Sequence, residues 1–251
     1  MTIGGSPVTI NHGGIVPVYS TSTTIQPGSW VSMYGSNLAA STVAWNGNFP
    51  TSLGGTTVTV NGKPAYLWFV SPGQINFQAP ADTASGTVTV VVANSMGIAS
   101  STVTLSQQSP AFLLLADGKH ATGLIIDPNG GGSQAGGFYD LLGPTGSGAG
   151  FRPAKAGEPV VVYGVGFGPT NPTVPAGQTY NCPSTGCAQL VTNPQITVGG
   201  VPVPLSFAGV VEAGLYQFNF NLPTGLSSGD QILQAVVNGV NTPVNVFIPV
   251  Q

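Results

Sequence analysis

Short runs in which apolar and polar residues alternate recur along the whole chain. WVSMY (30–34), TVTV (57–60), AYLWFV (65–70), QINFQA (74–79), TVTVVVA (87–93) and SSTVTL (100–105) are rich in Val, Thr, Ile and aromatic residues. Such residues suit a pleated surface with one buried face, and turn residues bound each run. Asn61-Gly62, between TVTV and KPAYLWF, tolerates positive φ at both positions, as a type I′ hairpin turn requires. No window keeps a 3.6-residue period over three turns, so the pattern predicts an all-β chain with no helix longer than about two turns. The core faces are expected from the alternating residues of 57–60, 65–70, 87–93 and 231–237.

The pattern then returns in the same order. QPGSWVSMYGSNL (26–38) matches KAGEPVVVYGVGF (155–167), and TVTVNGKPAYLWF (57–69) matches QITVGGVPVPLSF (195–207), with Gly199-Gly200 in place of Asn-Gly. GQINFQAP (73–80) matches YQFNFNLP (216–223), and 85–105 matches 228–248. A self-similar period above about 100 residues means tandem domains and not a solenoid of small repeats. Each copy has the profile of a two-sheet Greek-key sandwich. The expected architecture is therefore two tandem immunoglobulin-like antiparallel β-sandwiches. Residues 1–109 form the first, with an N-terminal extension, and 110–251 form the second. Residues 111–127 supply the first strands of the second copy, and the Gly-rich insert 128–155 follows. A loop of that length inside a compact domain is expected to be functional or disordered.

Composition narrows the function. The chain holds 37 Gly and 22 Pro, which excludes a long-helix protein, and only 4 Lys+Arg against 7 Asp+Glu. Four basic residues neutralise no run of phosphates and form no polybasic membrane patch. With 41% hydrophobic residues and a net charge of −3, disorder of the charged kind is also excluded. No uncharged apolar run approaches the length of a membrane-spanning helix. MTIGGSPVTI has neither a basic n-region nor an apolar h-region, so Met1 of an exported chain is expected to mark either an engineered start or a renumbered mature chain.

Cys182 and Cys187, in NCPSTGCAQL, are expected to form a local disulfide; two free thiols or half a metal site are the alternatives. The histidines, His12 and His120, are remote from the pair in sequence, and no metal is expected. A disulfide implies an oxidising compartment, and the low charge agrees with an extracellular or cell-surface location.

Pro27-Gly28, Val31–Leu38 (VSMYGSNL), Val58–Ala65 (VTVNGKPA) and Ile75–Pro80 (INFQAP) resemble the IPT/TIG group of immunoglobulin-like domains. From about residue 16 the chain further resembles a repeated C-terminal domain of acidobacterial proteins, most recognisably in VNGKPAYLWFVSPGQINFQAP and GLYQFNFNLP. The resemblance implies the fold. It implies no activity, because that family has none assigned. The Gly-rich insert and the Cys182–Cys187 loop depart from its pattern.

Candidate chemistry is sparse. Asp117-Gly118-Lys119-His120, with Asp127 and Asp140 downstream, is the densest polar cluster, and a turn explains it as well as a His–Asp pair does. Ser133 in GGSQA resembles a nucleophile elbow only in text, since that motif needs a strand before it and a helix after it. Gly164–Gly168 (GVGFG) follows a strand as a dinucleotide loop would, but Pro169 and Pro172 forbid the helix that holds the pyrophosphate. Gly62-Lys63-Pro64 and Gly118-Lys119-His120 lack the spacing of a P-loop. Asp127-Pro128-Asn129-Gly130 offers one acid to calcium. No catalytic residue, cofactor or metal ligand is assigned.

Trp30, Tyr34, Trp68, Phe69, Phe77 and Tyr163 lie in strand patterns and are expected mostly in the core. Trp45 and Phe49, in the loop AWNGNFP, are candidates to stack on a sugar ring; a loop folded back over the sandwich end is the alternative. Sandwiches leave edge strands unpaired, and only Lys63 lies in a strand–turn region, so charge is not the main protection; prolines, as in Val201-Pro202-Val203-Pro204, are one alternative and pairing with another copy is the other. The segment 2–10 is the candidate donor strand for a neighbouring copy, through Ile3, Val8 and Ile10. These readings converge on a non-enzymatic extracellular structural or adhesive protein, a spacer, coat element or filament subunit with itself as partner. The alternative is a carbohydrate-binding accessory module.

Overall fold

The computed structural model describes residues 7–18, 20 and 22–251. The chain is all-β, built as antiparallel β-sandwiches, and a single 3-10 turn, Ala135–Gly137, is the only helical element among the described residues. In the first half one sheet runs Thr9–Pro17, Trp30–Ser36, Gln74–Gln78, Tyr66–Val70, Val43–Ala44. The facing sheet runs Thr24–Ile25, Gly97–Leu105, Gly86–Asn94, Thr56–Val60, Ser52–Leu53, with Lys63–Pro64 also on Thr56–Val60.

Period-2 alternation fills the space between them. Val88, Val90 and Val92 point inward with Val58 and Val60, while Thr87 and Thr89 face out. From the other sheet come Val31, Met33, Leu67, Ile75 and Phe77. The buried phase of 65–70 breaks after Leu67, where a register shift before Phe69 leaves Trp68 as the bulged residue, and it resumes at Val70.

The second half repeats these pairings. Pro159–Val165 pairs with Leu215–Asn221 as Trp30–Ser36 pairs with Gln74–Gln78. Gln195–Val198 lies between Val201–Val203 and Gly229–Val237, and Phe247–Val250 pairs with the last of these. Asn61 and Gly62 have φ of 51° and 75°, and Gly199 and Gly200 have 58° and 80°. Both turns are thus of the kind that only Gly and Asn adopt cheaply, and they join strands of matching position. Leu233, Ala235 and Val237 are buried, as the alternation of 231–237 predicts.

The Gly-rich insert is structured over much of its length. Tyr139–Leu142 forms a hairpin with Gly123–Ile126, and Phe151–Arg152 pairs in parallel with its far side. The glycines permit close backbone approach: a Cβ on Gly137 would sit 2.1 Å from the Gly130 carbonyl oxygen. Arg152 Nε donates to Asp140 Oδ2 (2.7 Å), while its terminal nitrogens donate to both Glu158 oxygens (2.8 and 3.0 Å). The chain's one arginine therefore ties the insert to the start of the strand Pro159–Val165.

The expectation of a donor strand changes. Val8 is buried, Ile10 packs on the first core, and Thr9 and Ile10 pair with Ser36 and Gly35 of their own chain. Both apolar side chains are thus spent within their own sandwich and are not free to complete a neighbour. Ile3 lies outside the described residues. Most flanking strands are also very short: Val43–Ala44, Ser52–Leu53, Phe151–Arg152, Thr170–Asn171 and Val201–Val203. Short edges, with Pro202 in one of them and Lys63-Pro64 in the strand beside Thr56–Val60, leave few backbone groups unpaired, and Thr9–Pro17 is the long edge of the first sheet.

Candidate functional site

All three tryptophans of the chain meet where the two halves join. Trp30 stands at the start of its strand, Trp68 is turned aside by the bulge, and Trp45 follows the short strand Val43–Ala44. The loop is fixed to the strand by Trp45 N–H donating to the Trp68 carbonyl (2.8 Å) and Leu67 N–H donating to the Pro50 carbonyl (2.7 Å). Trp30 lies 5.7 Å from Trp68, 6.2 Å from Trp45 and 5.9 Å from Phe49, centroid to centroid; Trp45 and Phe49 meet edge to face at 4.6 Å. The Trp30–Phe49 pair is near parallel, at 27°, and the others are tilted or edge-on, geometries that suit the ring quadrupoles.

The second half closes the other wall with Leu113, Leu215 and Tyr180, and its rim carries Thr179, Asn181 and Glu212. The space enclosed is a cleft of about 400 Å³. Asn181 and Glu212 are joined by a backbone bridge, and the Ala188 N–H donates to the Tyr180 hydroxyl (2.7 Å). The Cys182–Cys187 disulfide closes the loop directly after Asn181.

The joint itself is hydrogen-bonded and packed. Trp30 Nε1 donates to the Ala213 carbonyl (2.7 Å), and Gly177 N–H donates to Gln78 Oε1 (2.8 Å), whose Nε2 donates to the Gly28 carbonyl (2.8 Å). Ser109 Oγ donates to the Thr24 carbonyl within the first half (2.7 Å), and the Ser109 N–H donates across the joint to the Gly166 carbonyl (2.9 Å). Val18, Ala111 and Val165 form a small buried cluster against Trp30 and Leu113. Gly214 has φ 71°, and a Cβ there would lie 2.8 Å from the Gly28 oxygen. A second cavity, of about 500 Å³, also spans the halves; buried Gln26 lines it and leaves its Oε1 without a protein partner.

These positions revise the reading of the aromatics. Trp45 is half-buried with a face on the cleft, whereas Phe49 is only 7% exposed and forms part of the floor. Phe49 is therefore not an open stacking platform. Trp30 and Trp68, expected in the core, line the cleft, and Tyr34 is exposed. Tyr180 and Glu212 carried no sequence signal, because nothing in their local pattern reveals which surface they meet.

The charged residues are engaged elsewhere. His120 is buried with Nδ1 2.6 Å from Asp117 Oδ2 and Nε2 3.1 Å from Asp230 Oδ1, and Lys119 Nζ reaches Asp230 Oδ2 at 2.5 Å. With a carboxylate on each ring nitrogen, this histidine has no hydroxyl or thiol to activate. Burial pushes the Asp117 carboxyl up, but hydrogen bonds from the His120 ring and from the His120 and Lys119 N–H groups outweigh it and hold the pKa at about 2. Hydrogen bonds from Lys119 and His120 lower Asp230 likewise. Asp82 is held at about 2 by the Ala84 N–H first, then by Asn61, with Lys63 adding to them. Asp127 caps the Asn129 N–H. Ser133 N–H donates to Asp140, and one 3-10 turn follows where a nucleophile elbow needs a helix. No group of three or more His, Cys, Asp or Glu side chains able to hold a metal occurs among the described residues.

Joined antiparallel β-sandwiches with an aromatic cleft between them define the class. Within it, residues 13–107 match the family model of the IPT/TIG domain, so this segment is an IPT/TIG-like domain. No curated protein sequence matches the chain, and the narrower acidobacterial resemblance rests on the motifs alone. Among solved structures the chain is similar to SGBP-B of the Bacteroides ovatus mixed-linkage glucan utilization locus, solved with a mixed-linkage heptasaccharide. The identity is 13% and the TM-score 0.40, over 98% of this chain and 45% of that one. The FdeC adhesin of Escherichia coli is 11% identical with a TM-score of 0.28, over 97% and 63%. The I9–I11 tandem of titin is 7% identical with a TM-score of 0.24, over 98% and 66%. The chain thus spans less than half of the SGBP-B chain's length.

Proposed function

We propose that this protein is a non-catalytic extracellular structural or adhesive element, made of two sandwich modules at 1–109 and 110–251 that act as one stiff unit. The joint carries this reading. Hydrogen bonds from Trp30 to Ala213, from Gly177 to Gln78 and from the Ser109 N–H to the Gly166 carbonyl cross it, and the Val18–Ala111–Val165 cluster packs within it. Contacts of that kind restrain the independent motion that is the default between domains. The extracellular placement draws on the Cys182–Cys187 disulfide and on the low charge. No helix of the described residues is long and apolar enough to cross a membrane. Copies that meet end to end would use surfaces other than the short sheet edges.

Small-angle scattering tests the stiffness: a single narrow distribution of interatomic distances matching the joined sandwiches is expected, and a broad one typical of beads on a tether would overturn it. Immunogold electron microscopy of native cells tests the placement, with label expected on the surface or on filaments and not in the cytoplasm. A second reading, a carbohydrate-binding module, is favoured by one observation, the aromatic cleft.

A further inference from the structure

We infer that the cleft between the two sandwiches is a binding site for a neutral glycan, which lies with a sugar-ring face on Trp45 and Trp68 and its hydroxyls toward Thr179, Asn181 and Glu212. The inference deepens the carbohydrate-binding reading and is independent of any assembly of copies.

The chemistry of the lining selects the ligand. Pyranose rings present an apolar C–H face and a polar hydroxyl edge, and the cleft offers the matching pair, aromatic walls and a rim of amide, hydroxyl and carboxylate. Trp45 and Trp68 are half-buried, so each keeps part of its surface on the cleft. A volume of about 400 Å³ falls among small-ligand sites, which span roughly 300–1,000 Å³.

Charge excludes the main competitors. No lysine or arginine lines the cleft among the described residues. Lys63, Lys119 and Arg152 are paired with Asp82, Asp230 and the Asp140–Glu158 pair. A polyanionic glycan or a nucleotide, which would otherwise suit stacked aromatics, finds no counter-charge there and meets Glu212. A quaternary ammonium ion, which aromatic walls also attract, is a further comparison in the titration below, and its preference over every neutral glycan overturns the neutral class. Two walls from different modules also explain why the joint is built as it is: the Trp30–Ala213 hydrogen bond holds one wall at a fixed distance from the other, so the site is formed before the ligand arrives.

The test uses a property of the sequence. Because all three tryptophans line this cleft, tryptophan emission excited beyond the tyrosine absorption band reports on it alone. The full chain is titrated with cellohexaose, xylohexaose, mannohexaose and, as charged comparisons, hexagalacturonate and a quaternary ammonium ion, in parallel with calorimetry. At least one neutral hexasaccharide is expected to shift the emission saturably. Trp45→Ala is expected to weaken that binding by about tenfold or more, Trp45→Phe to restore most of it, and Asn181→Ala to weaken it about threefold. Thermal melts identify any variant whose loss comes from misfolding, and the rim variant Asn181→Ala keeps the test decisive if Trp45→Ala fails to fold. If no neutral glycan binds, both the site and the carbohydrate reading fall. Binding by calorimetry that leaves emission and the Trp45→Ala affinity unchanged overturns this site while the carbohydrate reading stands. Preference for hexagalacturonate overturns the neutral class.

Discussion

Arg152→Leu removes the one guanidinium that ties the Gly-rich insert to the second sandwich. In the native chain three charge-assisted hydrogen bonds, at 2.7, 2.8 and 3.0 Å, converge on it, and its side chain is 27% exposed against 13% for Asp140 and 23% for Glu158. A hydrogen bond to a charged partner contributes about 1.5–3 kcal/mol net, but these three share one donor group and do not add. The abandoned carboxylates keep the Ser133 and Lys155 N–H groups, which limits the loss. The expected cost is therefore about 2–3 kcal/mol, well short of the sum of three bonds. For a two-module chain of this size that corresponds to a fall in Tm of roughly 5–10 °C.

The pH dependence follows from the same contacts. Hydrogen bonds from Arg152 and Ser133 hold the Asp140 carboxyl below its ordinary value; for Glu158 burial acts upward, and Arg152 and the Lys155 N–H outweigh it. Groups depressed in the folded state contribute stability above their unfolded pKa, near 4, and lose it as pH falls through the folded value. The gap between wild type and Arg152→Leu should be full at pH 7 and shrink below about pH 4. Scanning calorimetry at several pH values measures the gap, and hydrogen exchange locates it. The Leu141 N–H, which donates to Gly150, and the Gly143 N–H, which donates to Arg152, should lose protection first. A variant that melts within about 1 °C of wild type at pH 7, or a gap that persists unchanged at pH 3, refutes the argument.

Three further outcomes are expected. Replacing Cys182 and Cys187 together by Ser opens a bridge between residues five apart, so chain entropy sets the cost at no more than about 2 kcal/mol; exchange in 180–190 should rise while the global melt moves little. Alkylation of both thiols in the unreduced, denatured native protein would show that there is no bridge to lose. Gly214→Ala forces a side chain into a φ of 71° and against the Gly28 carbonyl, costing about 1–2 kcal/mol, and a red shift of tryptophan emission should report the loosened joint. His120→Leu strips Asp117 and Asp230 of a shared partner; because both acids are partly exposed the cost should be about 1 kcal/mol at pH 7. Since the Asp117 carboxyl is held at about 2, that cost should vanish as pH falls from about 4 towards 2 in chemical denaturation.

The sandwich elements were legible because each rests on a local rule. Alternation in TVTVVVA places Val88, Val90 and Val92 inside, and the positive-φ pairs Asn61-Gly62 and Gly199-Gly200 mark matching hairpins in the two halves. The insert was not legible in this way. Its pairing depends on contacts across many positions, such as Gly137 beneath the Gly130 carbonyl, and on Arg152 reaching Glu158. Glycine-rich composition alone does not separate a disordered loop from one whose backbones touch closely.

The cleft was legible only in part, for a related reason. Trp45 and Phe49 stood out because aromatic residues in a loop of Asn and Gly are unusual, yet only Trp45 keeps a half-buried face on the cleft. Trp30 and Trp68 were hidden by the strand pattern: alternation tells which side of a sheet a residue faces, but not whether a second module covers that side. For Trp68 the bulge removes even that information, since the extra residue falls out of phase with its neighbours. Tyr180, in a loop, and Glu212, at the end of the strand Leu205–Glu212, lie more than 100 residues from Trp68, so they line the cleft only once the joint forms. A cleft made at the meeting of two halves is therefore written in neither half. What the sequence does carry is the means of making it, a donor on Trp30, a glycine at 214 where the halves touch, and few charges to keep them apart.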